Sequence, residues 1–262
     1  MRDVGIVIVT HNSAEEIGPC LDAAMATGAE VVVVDNASED ETRGEVERHG
    51  VRLIANRTNA GFAGAINQGA RALGTPLLLL LNPDAIIQGG LEHLREACID
   101  PQTAAAGGLS VDHFGKPQTG FTVRRFPSPT ALCFEALLIN RVWPGNPVNW
   151  HYRCLGMDYS TAMEVEQPAG AFLMIRRDAW EKLGGLDEDF YPLWFEDVDF
   201  LKRAKTTRIT FVTCRRPWQN IRVPIPSERF HWSSGSFIGI VVFLSTQPSI
   251  SLRARRKRSA WL

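Results

Sequence analysis

Two stretches of this sequence place carboxylates where chemistry could use them. The run Leu77–Leu81 is leucine throughout and passes without transition into Asn82-Pro83-Asp84. A carboxylate that follows a buried strand can hold a divalent cation against a diphosphate, because hard cations take carboxylate and phosphate oxygens. The second stretch is FEDVDF, residues 195–200. Helical periodicity in the VDFLKRA that follows puts Glu196 and Asp197 at a helix N-terminus, where partial positive charge favours an ionised carboxylate. Each stretch also has an ordinary reading, since Asn, Pro and Asp make turns and acids often begin helices.

The elements that must position these groups alternate from residue 4 to about residue 110. Val4–Val9, Val31–Val34, Val51–Ile54 and Leu77–Leu81 are short apolar runs of strand length. They are separated by helical patterns, one of them Gly61–Leu73. Ser13 with Glu16, and Ser38 with Glu41, have capping-box spacing and predict helices beginning there. Runs that are apolar throughout suit strands covered on both faces, so this half predicts a Rossmann-like α/β fold with a mostly parallel sheet. Ligands of such sheets bind beyond the carboxyl ends of the strands. Four polar clusters fall at those ends: Thr10-His11-Asn12, Asp35-Asn36, Asn56 to Gly61, and Asn82-Pro83-Asp84.

Composition and absences narrow what binds there. With 262 residues, 45% hydrophobic and 22% charged, the chain can bury a full core. A net charge of −1 gives no whole-chain reason to expect nucleic acid. Five scattered cysteines without a C-x-x-C pair indicate neither a disulfide framework nor a zinc site, and fit a reducing cytosol. The N-terminal apolar run is too brief for a signal peptide. There is no G-x-G-x-x-G after the first strand, no Walker loop, and no glycine-rich, arginine-bearing loop of the sugar nucleotidyltransferase kind. Nucleotide recognition therefore falls to side chains at the strand tips.

The ordered series VTHNS (9–13), VVVDNAS (32–38), NAGFAGAINQG (59–69), LLLNPDA (79–85), PAGAFLMIRRDAW (168–180), GGLDEDF (184–190) and FEDVDFLKRA (195–204) resembles glycosyltransferase family 2. The nearest likeness is to bacterial rhamnosyltransferase-like members with the GT-A fold. The resemblance implies one GT-A domain over 1–204, with a nucleotide-binding half (1–110) and an acceptor-side half (111–204). It implies that Asn82-Pro83-Asp84 is a version of the Asp-x-Asp motif, with Asp84 holding Mg²⁺ or Mn²⁺. Asp35 matches the aspartate that pairs with a pyrimidine base, with Asn36 beside it. Thr10 and Asn12 match the loop around base and ribose, and Asn59, Gly61 and Asn67 the segment beside the nucleoside. Asp197 matches the catalytic base of an inverting transfer, with Glu196 next to it. Gly170 and Ala171 lie where small residues let the backbone pass the donor sugar, although tight strand packing would also require them. Trp194 could wall the acceptor or pack in the core. Residues 111–160, without clear periodicity, match a variable acceptor-side insertion.

The implied activity is transfer of a sugar, rhamnose being one candidate, from a UDP- or dTDP-sugar to a saccharide or lipid-linked saccharide acceptor in cell-wall or surface-polysaccharide assembly. A cytoplasmic location, peripheral on the inner face of the cytoplasmic membrane, would suit that acceptor.

After Ala204 the likeness fails. From Lys205 onward Glu228 is the only acidic side chain, and the chain ends in RARRKR before its last four residues. Shifting the codons across Arg216–Val223 by two bases permits Ala-Val-Ala-Lys-His-Thr-Gly, the kind of histidine segment the resemblance leads one to expect. The expectation is an atypical, poorly ordered segment over 205–262, read out of frame, with an intact but unusual C-terminal extension as the alternative; in it His231 is no metal ligand and SFIGIVVFL is too short to span a membrane. The competing function is a truncated, non-catalytic nucleotide-sugar-binding protein that lacks the C-terminal histidine.

Overall fold

The structure is a computed structural model describing residues 1–112, 114–159, 163–206, 210–213 and 220–222. The chain divides into two units, Met1–Ile225 and Pro226–Leu262. The second unit lies outside the described residues, and with it His231, the SFIGIVVFL run and the basic tail.

The first unit begins with β1 (Val4–Thr10), α1 (Ile17–Ala26), β2 (Glu30–Asp35), α2 (Thr42–His49), β3 (Arg52–Ala55), α3 (Gly61–Ala72) and β4 (Leu77–Leu81). It continues with β5 (Ile86–Ile87), α4 (Leu91–Ala97), β6 (Thr103–Gly107), β7 (Leu109–Val111) and β8 (Val123–Arg124). Three short helices follow, α5 (Pro129–Ala136), α6 (Ile139–Val142) and α7 (Pro147–Tyr152). Last come β9 (Met163–Glu164), β10 (Gln167–Pro168), β11 (Phe172–Arg176), α8 (Arg177–Leu183), α9 (Glu196–Thr206), β12 (Thr210–Thr213) and β13 (Asn220–Arg222).

The main sheet has the order β3-β2-β1-β4-β11-β6-β12-β9. β1 to β4 are parallel, as expected from their continuous apolar runs. Successive side chains of a strand face opposite ways, so each run feeds two cores. Val7, Val9, Val32, Val34, Leu78 and Leu80 pack with residues of α3, α8 and α9. Ile6, Ile8, Val31, Val33, Leu79 and Leu81 pack with α1 and α4. Leu79 is fully buried, and burial of such a side chain stabilises by about 1.5–3 kcal/mol. β11 is the exception in direction. It runs antiparallel between β4 and β6, with Phe172 opposite Leu81 and Leu173 opposite Gly107. The residues just before it therefore reach the same sheet edge as the carboxyl ends of β1 to β4.

Three expectations change. Neither capping box forms: α1 starts at Ile17 and α2 at Thr42, with no side-chain cap on either. Both serines are used by the loops instead, Ser13 Oγ donating to the His11 carbonyl and Ser38 Oγ to the Asp35 carboxylate. Residues 111–160 contain three helices of four to eight residues, too short to show a helical period in the sequence. Regular structure also continues beyond 204: α9 reaches Thr206, β12 lies parallel to β6, and β13 joins a small sheet between β5 and β7.

Candidate active site

Asp84 stands in the turn after β4, closed by an Ala85 N–H donating to the Asn82 carbonyl. Its Oδ1 is buried and accepts no hydrogen bond. Burial raises the carboxyl above its ordinary value, and the charge of Glu16 adds to that. A buried carboxylate oxygen with no partner costs free energy that a cation would recover, so the residue fits a metal. No cluster of three or more His, Cys, Asp and Glu suited to a metal exists among the described residues. Asp84 would thus leave most of a cation's coordination to phosphate oxygens and water.

One short segment joins this turn to the other carboxylates. The Asn82 N–H donates to the Ala171 carbonyl at 3.1 Å. The neighbouring Gly170 backs onto Asp197 so closely that a Cβ there would lie 2.9 Å from Asp197 Oδ2. The close approach that requires glycine at 170 is therefore to the acid itself. Asp197 accepts from its neighbour's Val198 N–H at 2.7 Å. Burial raises its carboxyl, against the pull of backbone N–H groups, Gly170's included, and of the Arg124 charge. Glu196 is 6% exposed and its Oε2 has no partner. Burial and the adjacent Asp197 push its carboxyl up to about 7.

Both acids begin α9, as the periodicity predicts. Arg203, two turns further, fixes that helix by bonding Asp199 at 2.6 Å and the carbonyls of Leu183 and Gly185. Trp194 and Phe195 precede α9 with φ of 92° and 72°, values rarely adopted by such side chains. Trp194 is 43% exposed, so it does not pack in the core.

At the nucleotide end the structure assigns different work to several residues. Asp35 is fully buried. Its oxygens accept from Thr10 Oγ1 at 3.2 Å, Ser38 N at 3.1 Å, Ser38 Oγ, and Arg43 Nε at 2.6 Å. Burial alone would raise this carboxyl, but the bonds from Ser38 and Arg43 outweigh it and lower it. A carboxylate with four donors has no lone pair left for a base N–H. Asp35 thus organises the loop between β2 and α2. Asn36 is equally occupied, donating to the Gly61 carbonyl and accepting from Asn56 Nδ2 and Ala60 N. Thr10 serves Asp35, and Asn12, at φ 54°, accepts from Glu39 N.

The segment matched to the nucleoside is also turned inward. Asn59 accepts from Gly61 N. Gly61, at φ 76°, lies against Tyr191, whose Cδ2 would be 2.9 Å from a Cβ. Asn67 donates to the Leu186 carbonyl and to Glu188, and accepts from Leu186 N. It joins α3 to the GGLDEDF segment and is 6% exposed. Sequence reading did not pick out Ser38, Arg43, Arg124 and Glu188 as partners. Arg124 was noticeable as half of an Arg-Arg pair, but nothing local links it to Asp197.

The chain matches the model of a family described as Glycosyl transferase family 2 over residues 5–184. It is 27% identical over 237 residues to the low-salt glycan biosynthesis hexosyltransferase Agl10 of Haloferax volcanii, covering 89% of this chain and 71% of that protein. It is 30% identical over 220 residues to the N-acetylglucosaminyl-diphospho-decaprenol L-rhamnosyltransferase of Mycobacterium tuberculosis, covering 76% and 69% respectively. Among solved structures it is similar to mannosyltransferase PcManGT from Pyrobaculum calidifontis in complex with GDP-Man and Mn²⁺, with a TM-score of 0.59, 20% identity, and coverage of 87% of this chain and 59% of that one. It is also similar to GalNAc-T7 with UDP, GalNAc and Mn²⁺, with a TM-score of 0.63, 13% identity, and coverage of 86% and 44%. The chain thus spans less than two thirds of those structures, and the likeness to them is one of GT-A fold. With the family model matching well over half of its length, this chain belongs to glycosyltransferase family 2, among rhamnosyltransferase-like relatives.

Proposed function

We propose that the chain is a metal-dependent, inverting hexosyltransferase. It would move a sugar, rhamnose being the first to test, from a UDP- or dTDP-sugar to a lipid-linked saccharide in cell-wall or surface-polysaccharide assembly. The observation that carries this reading is the Gly170–Ala171 segment. It bonds the Asp84 turn on one side and abuts Asp197 on the other, so a donor diphosphate and an acceptor hydroxyl would meet across it.

Asp197 would accept the proton of the acceptor hydroxyl while that oxygen attacks the anomeric carbon from the face opposite the leaving diphosphate. The Val198 and Gly170 N–H groups hold the carboxylate in place for this step. Glu196, about half of it protonated at neutral pH, would lessen the negative charge beside the base. Mg²⁺ or Mn²⁺ bound at Asp84 would offset the charge that grows on the departing diphosphate.

A lipid-linked acceptor is named for the mycobacterial relative, and by extension suits peripheral association with the cytoplasmic membrane. No helix among the described residues is long and apolar enough to cross a membrane.

Calorimetric titration with UDP and dTDP, with and without Mn²⁺, tests the donor half. Saturable, metal-dependent binding lost in Asp84→Ala supports it, and absence of binding to a folded chain sinks it. Donor turnover by wild type and not by Asp197→Asn supports the base. Binding without turnover in either favours the non-catalytic alternative.

A further inference from the structure

Of the exposed large apolar side chains among the described residues, five fall within fourteen consecutive positions: Leu137, Leu138, Val142, Trp143 and Trp150. Val142 is 87% exposed and Trp143 59%. They belong to α6 and the ends of its neighbours, in the insertion between β8 and β9. Large apolar groups clustered on a surface mark contact with something apolar. We propose that this helical lobe docks the chain on an anionic lipid bilayer, with Val142, Trp143 and Trp150 entering its interfacial layer. The proposal deepens the function given above and rests on it for the lipid-borne acceptor.

Three features favour a bilayer over a protein partner. The first is charge. From Ala136 to Met157 there is no aspartate or glutamate, while Arg141 is exposed among the apolar groups. Tryptophan flanked by arginine suits the headgroup region of a membrane, where the ring is buried and the cation stays with phosphate.

The second feature is that the lobe bonds several of its polar groups internally. The Leu138 carbonyl accepts from Arg141 N and the Ile139 carbonyl from Trp143 N. Asn146 donates to Asn140 Oδ1 and to the Trp143 carbonyl, and accepts from Asn149 N. Asn149 in turn donates to the Pro144 carbonyl. Asn140 Nδ2 and Asn149 Oδ1 are left without a partner, but the groups bonded above lose nothing on entry into a poorly hydrated layer.

The third is continuity with the site. Glu135 on α5 pairs with Arg153 just after α7 at 2.7 Å, which braces the lobe. The Tyr152 carbonyl accepts from Arg125 N, and the Tyr152 ring lies beneath the Arg124 guanidinium. Arg124 is the cation that acts on Asp197. A headgroup bound by the lobe would therefore lie on the acceptor side of the base.

The test is co-sedimentation of the full chain with vesicles of phosphatidylcholine alone or with phosphatidylglycerol, together with fluorescence quenching by brominated lipid. Expected are binding that rises at least tenfold with phosphatidylglycerol, quenching of tryptophan, and a loss of at least tenfold in Val142→Asp/Trp143→Asp. Arg141→Glu should remove most of the preference for anionic vesicles. Unchanged melting of each variant shows that the fold persists. Equal binding by wild type and the double variant, or none by either, overturns the proposal. So does a wild-type dimer, seen by sedimentation velocity, that the double variant converts to monomer without either binding vesicles. UDP titration of the same samples separates the two readings: vesicle binding can fail while metal-dependent nucleotide binding persists, and the reverse.

Discussion

Replacing Glu196 by glutamine should stabilise the protein, and increasingly so as pH rises. Glu196 is buried at the start of α9 beside Asp197, and its carboxyl is pushed from an ordinary 4.5 up to about 7. The folded value is the higher one, so the fold prefers the neutral acid. The stability held by that neutral form is complete below 4.5 and is lost as pH rises toward 7. One pH unit corresponds to about 1.4 kcal/mol, so the full displacement is worth about 3 kcal/mol. Glutamine keeps the shape and stays neutral throughout. The variant should therefore exceed wild type by under about 1 kcal/mol at pH 5 and by about 3 kcal/mol at pH 8.5. Urea denaturation followed by tryptophan fluorescence at several pH values measures the difference. A gap that does not change with pH, or a variant less stable than wild type at pH 8.5, would refute the reasoning.

Other substitutions probe the contacts around the site. Gly170→Ala places a methyl carbon 2.9 Å from Asp197 Oδ2, and should lower kcat at least tenfold while leaving metal-dependent UDP binding within twofold, as read by turnover and calorimetry. Asn67→Ala strands the buried Leu186 N–H and should cost about 1–3 kcal/mol in urea denaturation. Gly61→Ala meets both Tyr191 and a backbone at φ 76°, and should cost at least about 1 kcal/mol by the same measurement. Because burial raises the Asp197 carboxyl, the acidic fall in the pH profile of kcat/KM should lie above the ordinary aspartate value of 3.8, and a midpoint below it would contradict the burial described.

Much of the N-terminal half was legible because continuous burial writes itself as continuous apolar sequence. Leu77–Leu81 is strand from end to end, and Asp84 follows it as expected. The helix beginning at Glu196 was equally plain, since Val198, Phe200, Leu201 and Ala204 share a buried face. Tertiary partners decided the rest. Ser13 and Ser38 have capping spacing but are claimed by His11 and Asp35. Asp35 reads as an available carboxylate until Thr10 and Arg43 fold onto it from other elements. The partners of Asn67 and Gly61, between Leu186 and Pro192, lie more than a hundred residues away and leave no local trace. Strand β11 sits antiparallel between strands made more than sixty residues earlier, a placement that no local pattern encodes.

That placement governs how the molecule can come into being. As the chain leaves the ribosome, β4 emerges about ninety residues before the strand that will cover its open side. Until then five leucines present an unpaired hydrogen-bonding edge, which invites pairing with other chains. β6 waits in the same way. The two halves therefore cannot mature in succession, since the first is completed only by insertion of a strand from the second. A fragment ending near residue 110 should aggregate rather than bind nucleotide, and the intact protein should fold slowly, as do others whose central pairings close long loops. Such a chain stays open to wrong pairings until its second half is made, and the two sides of the sheet edge are then assembled in one event.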